Sequence, residues 1–255
     1  MSTKLDGVRC LACIDITGEV TYWSRNQKQF HNFDVFTQAL AKIFQDFPKP
    51  IWVDGEVCMK GGRDFSKVMT QLRRINDMDP SEFVFHIFDI INPNAPQVFD
   101  DRWCDLEYIC PLVEGFDNIE KVNHARVPPS WRVKEIQGEA EMRIDKYGQE
   151  GLVLKDGASF YEQKKSVSWC KVIKNHTEDL PVLSVVPGEG KHEGRMGALM
   201  CDYNGHPVKV GTGFSDEERK EFYENPPKMI EVSYREKTKA GSLRFPAFKR
   251  VREDK

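Results

Sequence analysis

The stretch KLDGVR, Lys4 to Arg9, sets a lysine two places before a carboxylate, then a glycine, then an arginine at the head of an apolar run. Alone, Lys-x-Asp-Gly-x-Arg is a charged turn. Its surroundings give it more weight. Residues 9–15 and 20–23 are short runs joined across Thr17-Gly18-Glu19, the pattern of a β-hairpin whose first strand begins where the motif ends. The lysine therefore stands immediately ahead of a sheet.

Working outward, residues 33, 36, 40, 43 and 47 are apolar at steps of three and four, which predicts an amphipathic helix stopped by Pro48 and Pro50. Residues 51–59 read as a strand, 64–75 as a helix, 83–91 as a buried strand and 92–96 as a turn. A second helical pattern over 134–147 is followed by Gly148, placed to cap it. Then come EGLVLKDG at 150–157 and VSWCKVIK at 167–174. Beyond residue 176 the texture changes to short strand patterns at 180–186, 196–203, 206–210, 229–237 and 244–251, with one helical stretch at 215–223. That spacing predicts a small β-barrel of the OB type. The expected division is 1–176 and 177–255, an α+β domain followed by an OB-fold domain.

The chain of 255 residues has ample mass for buried cores. Its longest apolar runs fall well short of a membrane span and no N-terminal stretch has signal-peptide form, which predicts a soluble, intracellular, cytoplasmic chain. Seven cysteines, an odd count, predict reduced thiols. Cys10 and Cys13 have CxxC spacing, but no second pair completes a zinc tetrad, and they read as core. His31, His86, His124, His176, His192 and His206 show no paired spacing and read as structural or exposed.

The formal net charge is −3, unevenly spread. Residues 76–150 carry 7 basic and 16 acidic side chains, whereas residues 235–255 carry 8 basic and 3 acidic. The tail suits phosphate, although a charge run also serves as a plain solvated face.

Taken in order, KLDGVR, SRN (24–26), DGE (54–56), FHIFD (85–89), EGLVLK (150–155), SWCKVIK (168–174) and SLRFPAFKRVREDK (242–255) resemble the motif series of the covalent nucleotidyltransferases, specifically the ATP-dependent DNA ligases. The opening motif is weak by itself; the closing segment is the most specific. GEGKHEGRMGAL (188–199) also resembles a ligase OB domain and lacks the spacing of a P-loop.

The resemblance implies an adenylation domain followed by an OB fold, sealing nicks in duplex DNA with ATP and a divalent ion, Mg²⁺ or Mn²⁺, as a monomer in a bacterial or phage-infected cell. It makes Lys4 the AMP-accepting nucleophile, supported by Asp6 and Arg9. It places Phe88 on adenine, Glu56 on the ribose and metal, and Glu150 on the metal. Lys155, Lys171 and Lys174 would hold the nucleotide's phosphates, and Arg25 the nick 5′-phosphate. Arg252, Asp254 and Lys255 would orient pyrophosphate. By period alone Phe88 reads as core, and Arg25 and Glu150 as surface; the resemblance reverses those readings.

The pattern departs from the family twice. After the tryptophan the usual Lys-x-Lys is here Lys171 followed by Ile173, with Lys174 one place late. Only three residues precede Lys4, where ligases carry a few dozen. Either the true start lies upstream, or the enzyme is a reduced one with a nucleotide pocket open on one side. The rival readings are a GTP-using mRNA capping enzyme, an RNA ligase, or a nick-binding module without catalysis.

Overall fold

The computed structural model describes residues 1–61, 68–70, 79–164, 166–238 and 241–252. They form two compact units, Met1–Ile173 and Lys174–Lys255. Each unit has its own apolar cluster.

The first unit is built on a six-stranded sheet. Its strands are β2 (Val8–Ile14), β3 (Val20–Ser24), β4 (Gln29–Phe30), β5 (Ile51–Met59), β6 (Phe83–Ile91) and β7 (Ile119–Lys121), in the order β4-β3-β2-β5-β6-β7. All neighbours are antiparallel except β6 and β7. A second sheet of three strands, β1 (Ser2–Thr3), β8 (Leu152–Lys155) and β9 (Trp169–Val172), is ordered β1-β8-β9. The segment after β7 joins the two sheets: Val122 N–H donates to Ile87 O at 2.8 Å, and Ala125 N–H to Met1 O at 2.9 Å.

One face of the large sheet is apolar and meets α1 (Thr37–Ile43), α2 (Phe99–Tyr108) and α3 (Cys110–Val113). Ile14, Val53, Phe85 and Ile87 from strands meet Phe33, Phe36, Leu40 and Leu106 there, all fully buried. The expected long helix over 33–47 is shorter, a 3₁₀ turn at Asp34–Phe36 leading into α1, while its apolar stripe packs as predicted. The predicted helix over 64–75 lies outside the described residues except for 68–70, which are helical. α4 (Val133–Tyr147) ends at Gly148 in the left-handed conformation, φ +57°, the C-terminal cap glycine allows.

The CxxC pair sits on β2, where positions three apart point to opposite faces. Cys10 is buried in the core and Cys13 is half-exposed on the other side. All seven cysteines are free thiols.

The second unit has a five-stranded antiparallel sheet of β10 (His176–Pro187), β11 (Met196–Tyr203), β12 (His206–Val210), β13 (Met229–Tyr234) and β16 (Ala247–Val251), ordered β12-β11-β10-β13-β16. A small ribbon pairs β14 (Glu236–Lys237) with β15 (Leu243–Arg244). Between β12 and β13 lies α5 (Asp216–Glu224), started by a capping box in which Ser215 Oγ accepts from Glu218 N–H.

Candidate active site

Lys4 follows β1 directly, and its N–H donates to Gly151 O at 2.9 Å, tying the opening motif to the residue just before β8. Its Nζ is ion-paired with Glu150 Oε2, although 146 residues separate them. Both side chains are only 14% exposed. The pair lies in a cleft of about 600 Å³ that Asp6, His86 and Glu120 also line.

Gly7 explains itself by contact. A Cβ there would stand 2.4 Å from Val57 O and 2.7 Å from Cys58 Sγ. The turn after Lys4 thus lies directly on β5, and the Gly7 N–H donates to the Glu56 carboxylate. Burial pushes the Glu56 carboxyl up to about 7, against the opposing pull of Lys4.

The face of the large sheet opposite the core carries a row of polar side chains across four strands. Arg9 on β2 is the register partner of Glu56 on β5, Glu56 of His86 on β6, and His86 of Glu120 on β7. Adjacent partners share a face. His86 Nδ1 lies 3.2 Å from Glu120 Oε2. Burial lowers the His86 pKa, with Glu120 opposing that shift.

Phe88 reaches this face through a β-bulge. Asp54 pairs with Asp89 and Gly55 with Ile87, so Phe88 is the extra residue. The bulge turns both Phe88 and Asp89 away from the core, between Ile87 and Ile90, which stay buried in it. Gly55 makes room, since a Cβ there would meet the Phe85 ring at 2.5 Å.

Beyond Glu56 lies a dense cluster around Arg9, whose Asp54, Asp89, Arg102 and Tyr161 sequence reasoning missed. Arg9 is bidentate on Asp54, Nε to Oδ1 at 3.0 Å and a terminal nitrogen to Oδ2 at 2.5 Å, and Tyr161 OH donates to the same Oδ2 at 2.7 Å. Asp89 is held by Arg102 at 2.8 and 3.0 Å, and both are buried. Unpaired, these carboxylates would be costly to bury. The only sequence sign was the acid in DGE and in FHIFD; Tyr161 and Arg102 carried none.

Lys155, expected on the α-phosphate, is instead enclosed. Its Nζ donates to Phe88 O at 2.6 Å and lies 4.1, 4.4 and 5.0 Å from the ring centres of Trp169, Phe99 and Phe88. Burial lowers its pKa to about 8, partly offset by Asp89 and Asp54. A long apolar stem and an acceptor at the bulge favour this seat.

Lys171 stands on β9 two places after Trp169, and thus on the same side of that strand, with an exposed side chain. Lys174 opens the second unit. Arg25 is exposed in the turn after β3. Arg252 is paired within the second unit, 3.1 Å from Asp179 and 3.8 Å from Glu231. Asp254 and Lys255 lie outside the described residues.

In the second unit, Phe245 adopts φ +54°, rare for a bulky residue, and the residue is 55% exposed. The guanidinium carbons of Arg235 and Arg244 lie 4.7 and 5.0 Å from its centre.

Comparison with known proteins agrees with this geometry. The family model described as the ATP dependent DNA ligase domain matches residues 1–173, and that of the DNA ligase OB-like domain matches residues 187–252. The chain belongs to the ATP-dependent DNA ligases.

A DNA ligase of Haemophilus influenzae is 27% identical over 99% of this chain and 86% of its own length. That of Thermococcus onnurineus is 30% identical over 99% of this chain, which spans 51% of that relative. The chain likewise spans 52% of the Natronomonas pharaonis ligase, about half its length. A solved Lig E DNA ligase, described as binding DNA with a minimal scaffold, is 28% identical with a TM-score of 0.71, covering 98% of this chain and 91% of that one. The structure named Pmar-Lig_PreS3 is also 28% identical, with a TM-score of 0.81 over 98% of this chain and 62% of that one.

Proposed function

We propose that the chain seals nicks in duplex DNA with ATP, carrying AMP on Lys4. The observation that carries this reading is the seat of Lys4. Its amine lies in the cleft, paired with the Glu150 carboxylate and close enough to Glu56 to oppose the rise of that carboxyl's pKa.

To act as a nucleophile the amine must give up a proton, and Glu150 Oε2 is the acceptor already in contact with it. The Lys4 lone pair then forms a bond to the α-phosphorus of ATP while the bond to the β-phosphate oxygen breaks and pyrophosphate departs. Next, an oxygen of the nick's 5′-phosphate attacks the AMP phosphorus, returning the electron pair to Lys4. Finally, the 3′-hydroxyl attacks the activated 5′-phosphate and AMP leaves. Such transfers depend mostly on positioning and on charge placed at the phosphoryl oxygens.

Arg9, held on both edges by Asp54, is oriented for a phosphate. Phe88, raised by the bulge, offers a ring to the base. Lys155 acts at one remove by fixing the Phe88 carbonyl, and Lys171 is the exposed cation on the neighbouring sheet. Asp6 lines the same cleft. Arg25 is the candidate for the nick 5′-phosphate, and Arg252 of the second unit the candidate for pyrophosphate.

For the divalent ion, the donor set fits a partial shell. Glu150 and Glu56 are hard oxygen donors near Lys4, and no cluster of three or more such ligands occurs among the described residues. Mg²⁺ commonly binds through one or two carboxylates together with substrate phosphates. When bound, the ion supplies positive charge to the phosphoryl oxygens.

The exposed Phe245 between two arginines supports contact of the second unit with a nucleic-acid backbone, since guanidinium forks match phosphates. Monomeric action within the cell is part of the same reading.

The deciding experiment incubates the chain with α-labelled ATP and Mg²⁺ and scores label that survives a denaturing gel. Label on the wild type, absent from Lys4→Ala, is the expected outcome. A labelled Lys4→Ala chain would remove Lys4 from the nucleophile's role.

A further inference from the structure

We propose that Tyr161 is a positioning residue for adduct formation, whose hydroxyl locks the Arg9 guanidinium against Asp54 and leaves its other terminal nitrogen for the nucleotide. This rests on the reading of Arg9 as a nucleotide-binding residue of an ATP site.

Three groups close a ring of hydrogen bonds. Arg9 donates to both oxygens of Asp54, and the Tyr161 hydroxyl donates to Asp54 Oδ2 at 2.7 Å. The nitrogen of Arg9 that reaches Oδ2 also donates to the Tyr161 oxygen, at 3.3 Å. Asp54 by itself engages Nε and one N–H of that terminal nitrogen. With Tyr161, three of the five guanidinium N–H groups are committed. The other terminal nitrogen makes no hydrogen bond among the described residues, and it keeps two donors for an oxygen of the ligand. The Arg9 side chain is 38% exposed, whereas that of Asp54 is wholly buried. Removing the tyrosine hydroxyl therefore deprives a buried carboxylate of a donor and Arg9 of an acceptor at once.

The tyrosine is itself held from outside the ring. Its loop follows β8, and α2 begins upon it: Phe99 N–H donates to Ser159 O and Asp100 N–H to Gly157 O, both at 2.9 Å. A Cβ on Gly157 would stand 2.3 Å from Asp100 Oδ1, so loop and helix end lie in contact there. Ser159 Oγ closes the turn by donating to Asp156 O at 2.7 Å. The Tyr161 ring meets Trp169 edge-on, 6.2 Å between centres, and lies 5.8 Å from the Arg102 guanidinium carbon. Burial, then the charge of Asp54, raises the phenol above its ordinary value while Arg9 opposes, so the hydroxyl retains the proton it donates. A frame built from the α2 end and the β8–β9 loop thus aims one hydroxyl at the arginine. In-line transfer depends on such placement, and a small displacement of a phosphate-binding group is enough to slow it.

The test follows label from α-labelled ATP onto the chain over a range of ATP concentrations. The chains are the wild type, Tyr161→Phe, Tyr161→Leu, Arg9→Lys, and Arg9→Lys combined with Tyr161→Phe. Loss of the hydroxyl should lower kcat/KM for adduct formation about tenfold in Tyr161→Phe. Tyr161→Leu should show most of the same loss, because the hydroxyl and not the ring carries the role. Arg9→Lys keeps a cation beside Asp54 but removes the planar fork. In that background Tyr161→Phe should cost less than roughly twofold, since its effect passes through the fork. Tyr161→Phe and Arg9→Lys should also move the same parameter, whether KM or the saturated rate. A tyrosine that merely supports the fold would cost the same factor with either residue at position 9, and that result overturns the inference. Unchanged kcat/KM in Tyr161→Phe overturns it too. If Arg9→Lys does not fold, the comparison of Phe with Leu decides, and a loss confined to Leu would assign the role to ring packing. No adduct from the wild type would instead overturn the ATP reading, an outcome distinct from all of these.

Discussion

Glu56 is where burial and charge compete most directly at a single residue. Its carboxyl is raised from 4.5 to about 7, first by burial, with Asp54 adding to the rise while Lys4 and Arg9 oppose it. For an acid raised on folding, the native state holds its proton while the unfolded chain has already released it. Between those two values the native state binds more protons, so stability falls as pH rises. The loss is absent below about pH 4.5 and complete above about pH 7. Glu56→Gln keeps the shape and removes the charge. In chelator, where no divalent ion compensates, this variant should match the wild type near pH 4 and exceed it by up to about 3 kcal/mol at about pH 8. Urea denaturation at the two pH values checks this. Equal stability at the higher pH would mean that Lys4 and the Gly7 N–H already satisfy the ionised carboxylate. Asp54 and Asp89 show the opposite solution, burial tolerated through dedicated arginine partners.

At the scale of elements, the bulge on β6 and the glycine on β5 form one device. Gly55 leaves the space that the Phe85 ring occupies against the strand, and Phe88 is extruded one step further along. Gly55→Ala puts a methyl carbon 2.5 Å from that ring. It should cost about 2 kcal/mol as overpacking. Gly55→Ala combined with Phe85→Leu should recover part of the loss if contact with the ring is the cause, because neighbours couple. Thermal melts of the two single variants and the double decide it, and strict additivity would locate the damage elsewhere. Much of this was legible beforehand. The strands Ile51–Met59, Phe83–Ile91, Met196–Tyr203 and His206–Val210 have the bounds their apolar patterns predict. The bulge was not legible, since an extra residue leaves no mark in FHIFDII. α2 was missed for a related reason: Arg102, on its buried side, faces Asp89 and breaks the apolar stripe that would have announced a helix. Of the candidate site, Lys4, Glu56 and Glu150 were named only through family spacing. The enclosed seat of Lys155 was not legible, because a lysine at a strand end gives no sign of three rings around it. The pairing of His86 with Glu120 was not legible, because the two lie 34 residues apart on parallel strands.

For the molecule as a whole, an excess of three negative charges gives no global attraction to DNA, so any grip on the duplex must come from local concentrations of cations. The segment 235–255, with 8 basic and 3 acidic residues, supplies one. Within it, Arg235 and Arg244 flank an exposed Phe245 whose backbone is held in an unfavourable region. Such outliers persist only when the surroundings enforce them, and they cluster at functional surfaces. If both guanidiniums meet phosphates, each releases condensed counterions on binding. The logarithm of the association constant for nicked duplex then falls linearly with the logarithm of salt concentration, with a slope of about −0.9 per contact. Arg235→Ala and Arg244→Ala should each make that slope shallower by about one, with similar loss on every DNA sequence, because phosphate contacts carry no base information. Titrations of labelled nicked duplex at several salt concentrations provide the measurement. An unchanged slope with weakened binding would assign the two arginines to supporting Phe245 and the β14–β15 ribbon, and would leave the duplex to the cations of the first unit.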